Sequence, residues 1–243
     1  MIRVQGLTKR FKTVEALRGV SFAAQDGRIT GLLGPNGAGK STTLRILYTV
    51  LQPDQGRAFV DDIDVHQDPL AARRRMGVLP HGAGLYPHLS ARENILYYGH
   101  LHELAGEPLH GRVEQLITDL DIGEFADRRA KGFSQGQRTK VALARALIHE
   151  PRNLLLDEPT NGLDVMATRA LRQLILSLKA AGHCVVLSSH IMQEVAALCD
   201  DIVIIAHGKV VARGTPAALA QGSDSGDLEQ VFVDAVMAEE PAS

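Results

Sequence analysis

Gly34-Pro35-Asn36-Gly37-Ala38-Gly39-Lys40-Ser41 spells G-x-x-x-x-G-K-S, and its flanks decide how it is read. In front of it lies Ile29-Thr30-Gly31-Leu32-Leu33, short and apolar, the pattern of a buried strand. Behind it, residues 42–50 carry Leu44, Ile46 and Leu47 at spacings that suit a helix packed on a sheet. Strand, Gly-rich loop and helix together are the context of a phosphate-binding loop. The glycines let successive backbone N–H groups face one anion, and the helix N-terminus adds the positive end of its dipole. Lys40 then reaches the β- and γ-phosphates of a nucleoside triphosphate, and the Ser41 hydroxyl ligates Mg²⁺. A glycine-rich turn that includes a lysine by chance is the competing explanation, and the flanks leave it little room.

The 243 residues predict one large domain, or a domain with an inserted lobe, and the 45% apolar share is ordinary for a globular core. A net charge of −2 gives no electrostatic case for nucleic-acid binding. The two cysteines, Cys184 and Cys199, lie in apolar segments and read as buried reduced thiols. Met1-Ile2-Arg3 leads into a strand-like segment instead of a signal peptide. No apolar run approaches the roughly 20 residues that cross a bilayer.

From the loop outward the chain is read in order. Ile2 and Val4 alternate, and Gly19-Val20-Ser21-Phe22 starts another strand ahead of an Asp26-Gly27 turn, so residues 2–33 are expected to be β-structure. Phe11 is either an adenine-stacking ring or one more core aromatic; spacing leaves both open. After a turn at residues 52–56, strands are expected at 57–60 and at Met76-Gly77-Val78-Leu79, ending at Pro80 and followed by a loop over 81–87. Ser90-Ala91-Arg92-Glu93 is a capping box. From there to about His149 the composition is helical, which predicts an inserted helical lobe over about 88–149. Inside it, Phe133-Ser134-Gln135-Gly136-Gln137 precedes a helical run over 138–149. Plain capping by Ser134 explains that stretch best on spacing alone.

Asn153-Leu154-Leu155-Leu156-Asp157-Glu158 is an apolar strand ending in two carboxylates. Such a strand places both at the C-terminal edge of a parallel sheet, where ligands bind. Asp157 suits Mg²⁺ alongside Ser41, and Glu158 suits holding and polarising a water. Asn161-Gly162-Leu163-Asp164 turns into a helix over 165–180. Cys184-Val185-Val186-Leu187 is a further strand, and Ser188-Ser189-His190 follows at the same edge, which favours a γ-phosphate contact for His190. Residues 202–206 and 210–212 read as a hairpin around a Gly208-Lys209 turn. Residues 222–227 read as a flexible link ahead of a helix whose apolar face is Leu228, Val231, Phe232, Ala235 and Val236. That face is expected to bury against this domain or a copy of it.

These motifs, in this order over nearly the whole chain, resemble the nucleotide-binding subunit of ATP-binding-cassette (ABC) transporters. The resemblance implies an α/β fold: a P-loop NTPase (RecA-like) core, an N-terminal antiparallel β lobe and an inserted α-helical subdomain. It implies a nucleotide-binding domain over 1–222 and a linker with a short amphipathic helix over 223–243. It implies ATP bound with Mg²⁺ by Phe11, Gly34, Pro35, Asn36, Gly37, Ala38, Gly39, Lys40, Ser41 and Thr42. Glu158, His190 and Lys40 are then catalytic, and Ser41 and Asp157 hold the metal. Ser134, Gln135, Gly136, Gln137 and Asp164 are expected to meet the ATP of a partner cassette, in a head-to-tail homodimer or heterodimer. The partners implied are that second cassette and an integral membrane permease docked near Leu85-Tyr86-Pro87, with no nucleic acid. The protein is then cytoplasmic, held on the inner face of the cell membrane by the permease.

Within the family the chain resembles the NatA-like ATPases of type-2 bacterial exporters, through residues 160–164 and the tail from Asp227. Sodium is then the expected cargo, with drugs, lipids and polysaccharides left open. Two positions depart from the family pattern. Pro80-His81 stands where a glutamine is usual, and His81 is expected to contact the site directly or through water. Gln135 stands for a usual glycine of the signature motif. A soluble cassette ATPase acting on DNA, ribosomes or cluster assembly is the alternative class, without the insertions, basic face or tandem cassettes that would mark one. A GTPase lacks its guanine-reading Asn-Lys-x-Asp.

Overall fold

The computed structural model describes residues 1–82, 84–221 and 228–237. The chain opens with two long antiparallel strands, β1 (Ile2–Phe11) and β2 (Val14–Ala24). Next come β3 (Ile29–Leu33), α1 (Lys40–Leu47), β4 (Gln55–Val60), β5 (Ile63–Asp64), α2 (Pro69–Arg74) and β6 (Met76–Leu79). Three helices follow, α3 (Ala91–Leu101), α4 (Gly106–Asp119) and α5 (Gln135–Leu147), before the chain returns to the sheet as β7 (Asn153–Asp157). It continues through α6 (Val165–Ala180), β8 (Cys184–Ser189), α7 (Met192–Leu198), β9 (Asp201–Ala206), β10 (Lys209–Gly214), α8 (Pro216–Gln221) and α9 (Leu228–Met237).

Two sheets result. A four-stranded antiparallel sheet has the order β2-β1-β4-β5, and a six-stranded sheet has the order β10-β9-β3-β8-β7-β6. In the second, β9, β3, β8, β7 and β6 run parallel and only the edge strand β10 is antiparallel. This is the expected α/β architecture, a P-loop NTPase core beside an antiparallel β lobe with helices between β6 and β7.

The parallel strands are continuous apolar runs because both faces of their sheet are covered. Successive side chains alternate between two cores. Ile29, Leu33, Leu154, Leu156, Val185, Leu187, Ile202 and Ile204 face the core shared with α3, α4, α5 and α6. Leu32, Leu155, Cys184, Val186, Val203 and Ile205 face the core shared with α1 and the antiparallel sheet. Burying one such Leu, Ile or Val side chain contributes about 1.5–3 kcal/mol, so the strand ends that carry the polar groups are fixed from two sides. Both cysteines are buried as free thiols, and burial pushes their pKa values up, Cys184 to about 12.

Several local expectations are corrected. The helix behind the glycine loop begins at Lys40, two residues early, because Gly39 (φ 112°) turns the chain directly into its first turn. It stops at Leu47, ahead of Thr49 with φ 67°. The helix expected over 138–149 starts at Gln135, since Ser134 and Gln137 form a reciprocal capping box. β4 begins at Gln55, inside the stretch read as a turn. The late hairpin turns at His207-Gly208 and not at Gly208-Lys209: both have positive φ (48° and 80°), as a tight two-residue turn requires. Helix α2 escaped the sequence reading, although Asp68 accepts from the Ala71 N–H as its cap and Pro69 occupies its first turn. In α9, Val231 and Phe232 pack against the first core. The link over 222–227 and the side chains of Leu228, Ala235 and Val236 lie outside the described residues.

Candidate nucleotide site

Parallel pairing brings the C-terminal ends of four strands to one edge. Leu32 on β3 is level with Ser188 on β8, which is level with Asp157 on β7, while Leu79 on β6 is level with Leu156. The glycine loop leaves β3, the Asp157-Glu158 pair ends β7, His190 follows β8, and Pro80-His81 follows β6. All four expected site segments therefore meet at one edge, because the strands are parallel.

The loop is shaped by backbone crowding. A Cβ on Gly34 would sit 2.1 Å from the Ile205 carbonyl oxygen. One on Gly39 would lie 2.8 Å from the Ala16 carbonyl oxygen. Helix α1 has Gly39 at its cap and no side-chain acceptor there, so no side chain competes for its first-turn amides. Lys40 is buried, 4% exposed, and its Nζ donates to the Gly34 and Pro35 carbonyls at 2.7 and 3.1 Å. Burial pushes its pKa below the ordinary lysine value, against the opposing pull of Glu158 and Asp157. An ammonium held by its own loop's carbonyls can exchange them for phosphate oxygens without leaving its place.

The carboxylate corner is shaped by side chains. Asp157 is 2% exposed; its Oδ1 accepts from Ser188 Oγ at 2.7 Å and from Ser41 Oγ at 3.1 Å. Its Oδ2 is buried with no hydrogen-bond partner among the described residues. An unpartnered buried carboxylate oxygen is costly, and beside a hydroxyl it fits one face of a divalent cation whose remaining ligands are phosphates and water. The residues present therefore fit Mg²⁺ at Ser41 and Asp157.

Glu158 steps out of the strand with φ 50°, a left-handed conformation that is uncommon away from glycine. Its N–H donates to Ser188 Oγ at 2.9 Å. Its Oε2 lies 2.9 Å from His190 Nδ1, and its Oε1 lies 3.8 Å from Lys40 Nζ. Ser188 thus fixes both carboxylate residues, a part the sequence reading missed although Ser188-Ser189-His190 was in view.

The other expected residues sit around this edge. Phe11 is 43% exposed at the end of β1, with Lys9 Nζ 5.8 Å from its ring centroid, so it is not a core aromatic. His81, exposed, lines a cleft of about 370 Å³ with Asp157, Glu158, Gly162 and Gln135. None of residues 34–42 lines that cleft. Ser134 to Gln137 form the N-terminal turn of α5 on the helical side, with Gly136 beside Ala167 of α6. Asp164 caps α6 by accepting from the Ala167 N–H at 2.8 Å. Lys40, Ser41, Asp157, Glu158 and His190 are thus gathered directly, whereas Ser134, Gly136 and Asp164 stand at the N-terminal ends of α5 and α6, next to Gln135, which shares the cleft of His81 and Glu158.

The chain as a whole is similar to known proteins. Residues 17–161 match the family described as "ABC transporter". The chain is 41% identical over 238 residues to the ABC transporter ATP-binding protein NatA of Bacillus subtilis, covering 96% of this chain and 97% of that protein. It is 35% identical to the Nod factor export ATP-binding protein I of Burkholderia lata, over 95% of this chain and 76% of that one. Among solved structures, a dimeric bacterial ABC transporter cassette superposes with a TM-score of 0.80 at 27% identity, over 89% of this chain and 99% of that one.

Proposed function

This chain belongs to the ABC transporter family, and we propose that it is the ATPase of a bacterial exporter, working as a head-to-tail pair on a membrane permease. The coarse part comes from the family: the chain is a transporter ATP-binding subunit and an ATPase. The pairing, the permease and the export direction are the proposal. One observation carries it: Lys40, Ser41, Asp157, Glu158 and His190 gather at the sheet edge, while Ser134 and Asp164 stand at the N-terminal caps of α5 and α6.

Each residue then has a task. Phe11 stacks on adenine. Residues 34–42 wrap the phosphates, with Lys40 trading its carbonyl contacts for β- and γ-phosphate oxygens. Ser41 and Asp157 would hold Mg²⁺, which when bound neutralises charge on those oxygens. Glu158 orients the attacking water and accepts its proton as the bond to the γ-phosphorus forms and the bond to the β–γ bridging oxygen breaks, giving ADP and inorganic phosphate. His190, paired through Nδ1 with Glu158, keeps that carboxylate in place beside the γ-phosphate. Ser134 and Gly136 of the partner close over the same phosphate, so ATP favours the closed pair and loss of the γ-phosphate releases it.

Further features support a pair. Val165 and Met166, next to Asp164, are 83% and 72% exposed, large apolar groups at the place where a second cassette would sit. The similar cassette of solved structure is dimeric. For export, the support is the relative named for Nod factor export. Sodium as cargo rests on likeness to NatA and on no residue of this chain. No helix among the described residues is long and apolar enough to cross a membrane, so a transport path is expected from another chain. Gentle extraction of the tagged protein from native membranes tests the proposal. A multi-spanning protein lacking its own ATPase site is expected to co-purify, and a complex with nothing integral to the membrane would overturn the transporter reading.

A further inference from the structure

Glu158 holds a conformation that a non-glycine residue keeps only when its surroundings over-determine it. Part of that constraint comes from Ser188 and from the turn that closes when Asn161 N–H donates to the Glu158 carbonyl at 3.1 Å. The rest converges on one side chain outside the site. Glu194, on α7, accepts from Thr160 Oγ1 at 2.6 Å and from Ser189 Oγ at 3.4 Å, both through Oε2. Thr160 is two residues beyond Glu158, and Ser189 immediately precedes His190. Ser189 Oγ also accepts from Ile191 N–H at 3.0 Å, so the whole turn around His190 is tied in. The other oxygen, Oε1, faces Arg172 of α6 at 3.7 Å, on the helix that Asp164 caps.

We propose that Glu194 is a positioning residue for ATP hydrolysis: one carboxylate that clamps the loops after β7 and β8 and so sets the Glu158–His190 pair. The clamp has a rigid mount. Val195, next along α7, is fully buried, and it packs so close to β3 that a Cβ on Gly31 would meet it at 2.6 Å. The carboxylate is therefore referenced to the strand that feeds the phosphate loop, and the loops are referenced to the carboxylate. Hydroxyl-to-carboxylate bonds are strengthened by the charge of the acceptor, and the part-buried bond from Thr160 is short at 2.6 Å. Without the clamp, Glu158 relaxes from its strained backbone and its carboxylate drifts from the water and from His190. A misplacement of about 1 Å costs on the order of a hundredfold in rate.

The inference rests on Glu158 and His190 being the catalytic pair, and the test separates the two claims. ATP hydrolysis and ATP binding are measured for the full-length wild type, Glu158→Gln, Thr160→Val, Glu194→Gln, Glu194→Ala and the Thr160→Val/Glu194→Ala double variant. An inactive wild type or an active Glu158→Gln would refute the underlying reading and the inference with it. With that reading upheld, Thr160→Val and Glu194→Ala should each lower kcat about ten- to a hundredfold while KM and ATP affinity stay within about twofold. Glu194→Gln, whose carbonyl still accepts from both hydroxyls, should recover most of the loss. The double variant should be no worse than Glu194→Ala alone, because both changes remove one linkage. Thr160→Val nearly conserves volume, so it keeps the test informative if Glu194→Ala folds poorly. Wild-type kcat in Thr160→Val, additive losses, or a kcat loss matched by lost ATP binding would overturn the clamp.

Discussion

The loop after β3 and the corner after β7 lie at the same sheet edge and are built by opposite means. The phosphate loop is held by backbone: Gly34 and Gly39 lie where a Cβ would strike the carbonyls of Ile205 and Ala16, and Lys40 answers to its own loop's carbonyls. The carboxylate corner is held by side chains from other strands and helices: Ser41, Ser188, His190 and, through Thr160, Glu194. On the proposed roles, binding rests on the loop with Lys40 and chemistry rests on the side-chain network of the corner. Changes in the two regions should fail differently.

The largest contrast is between Glu158→Gln and Lys40→Ala. Both should lose hydrolysis by roughly a hundred- to a thousandfold or more, the scale of removing one well-placed transition-state group. Glu158→Gln should still bind ATP with near wild-type affinity, and Lys40→Ala should not; equilibrium binding of a fluorescent ATP analogue separates them. Equal loss of binding in both would erase the distinction between the regions.

Next in size is Gly39→Ala. Alanine in that left-handed conformation costs about 1–3 kcal/mol before the contact with Ala16 is counted. Melting should fall by roughly 2–4 °C per kcal/mol in a chain of this size, and ATP affinity should fall with it. Unchanged melting and binding would show that the loop does not need that turn.

The loop and both strand ends were legible in the sequence because each is a local pattern: an apolar strand running directly into a glycine run, a carboxylate pair or a histidine. The corner was legible only in part. Asp157, Glu158 and His190 stand at strand ends, and sheet topology brings them together. Ser188 and Glu194 act on partners about 30 residues away, and no spacing announces which serine or glutamate will be near. Phe11 could not be settled by spacing because exposure, and not position, separates a stacking ring from a core ring. The turn at His207-Gly208 and the early start of α1 were misplaced by one or two residues, since positive φ values decide them and residue type alone does not.

A smaller effect belongs to neither region. Burial, assisted by His102 stacked at 3.6 Å, pushes His149 down to about 4. The unfolded chain takes up a proton near pH 6.5 that the folded chain refuses until about pH 4. The contribution of His149 is therefore intact above pH 6.5 and is lost as pH falls toward 4, by about 1–2 kcal/mol after allowance for its partial exposure. Melting temperature against pH should be shallower over that window in His149→Gln, whose amide can still donate to the Met76 carbonyl. An identical slope in the variant would assign the acid sensitivity to other groups.

The smallest effect is expected from His81→Gln. His81 lines the cleft beside Glu158 without a bond in the side-chain network that holds the corner, so activity should stay within about twofold of wild type. A large rise or loss would place His81 inside the chemistry.

Above all of these stands the claim that one chain holds half of each site. Sedimentation of the Glu158→Gln variant with and without ATP and Mg²⁺ tests it most directly, because binding is kept and hydrolysis is stopped. A monomer without nucleotide that becomes a dimer carrying two ATP molecules is the predicted result. A variant that stays monomeric with ATP bound would contradict the shared site.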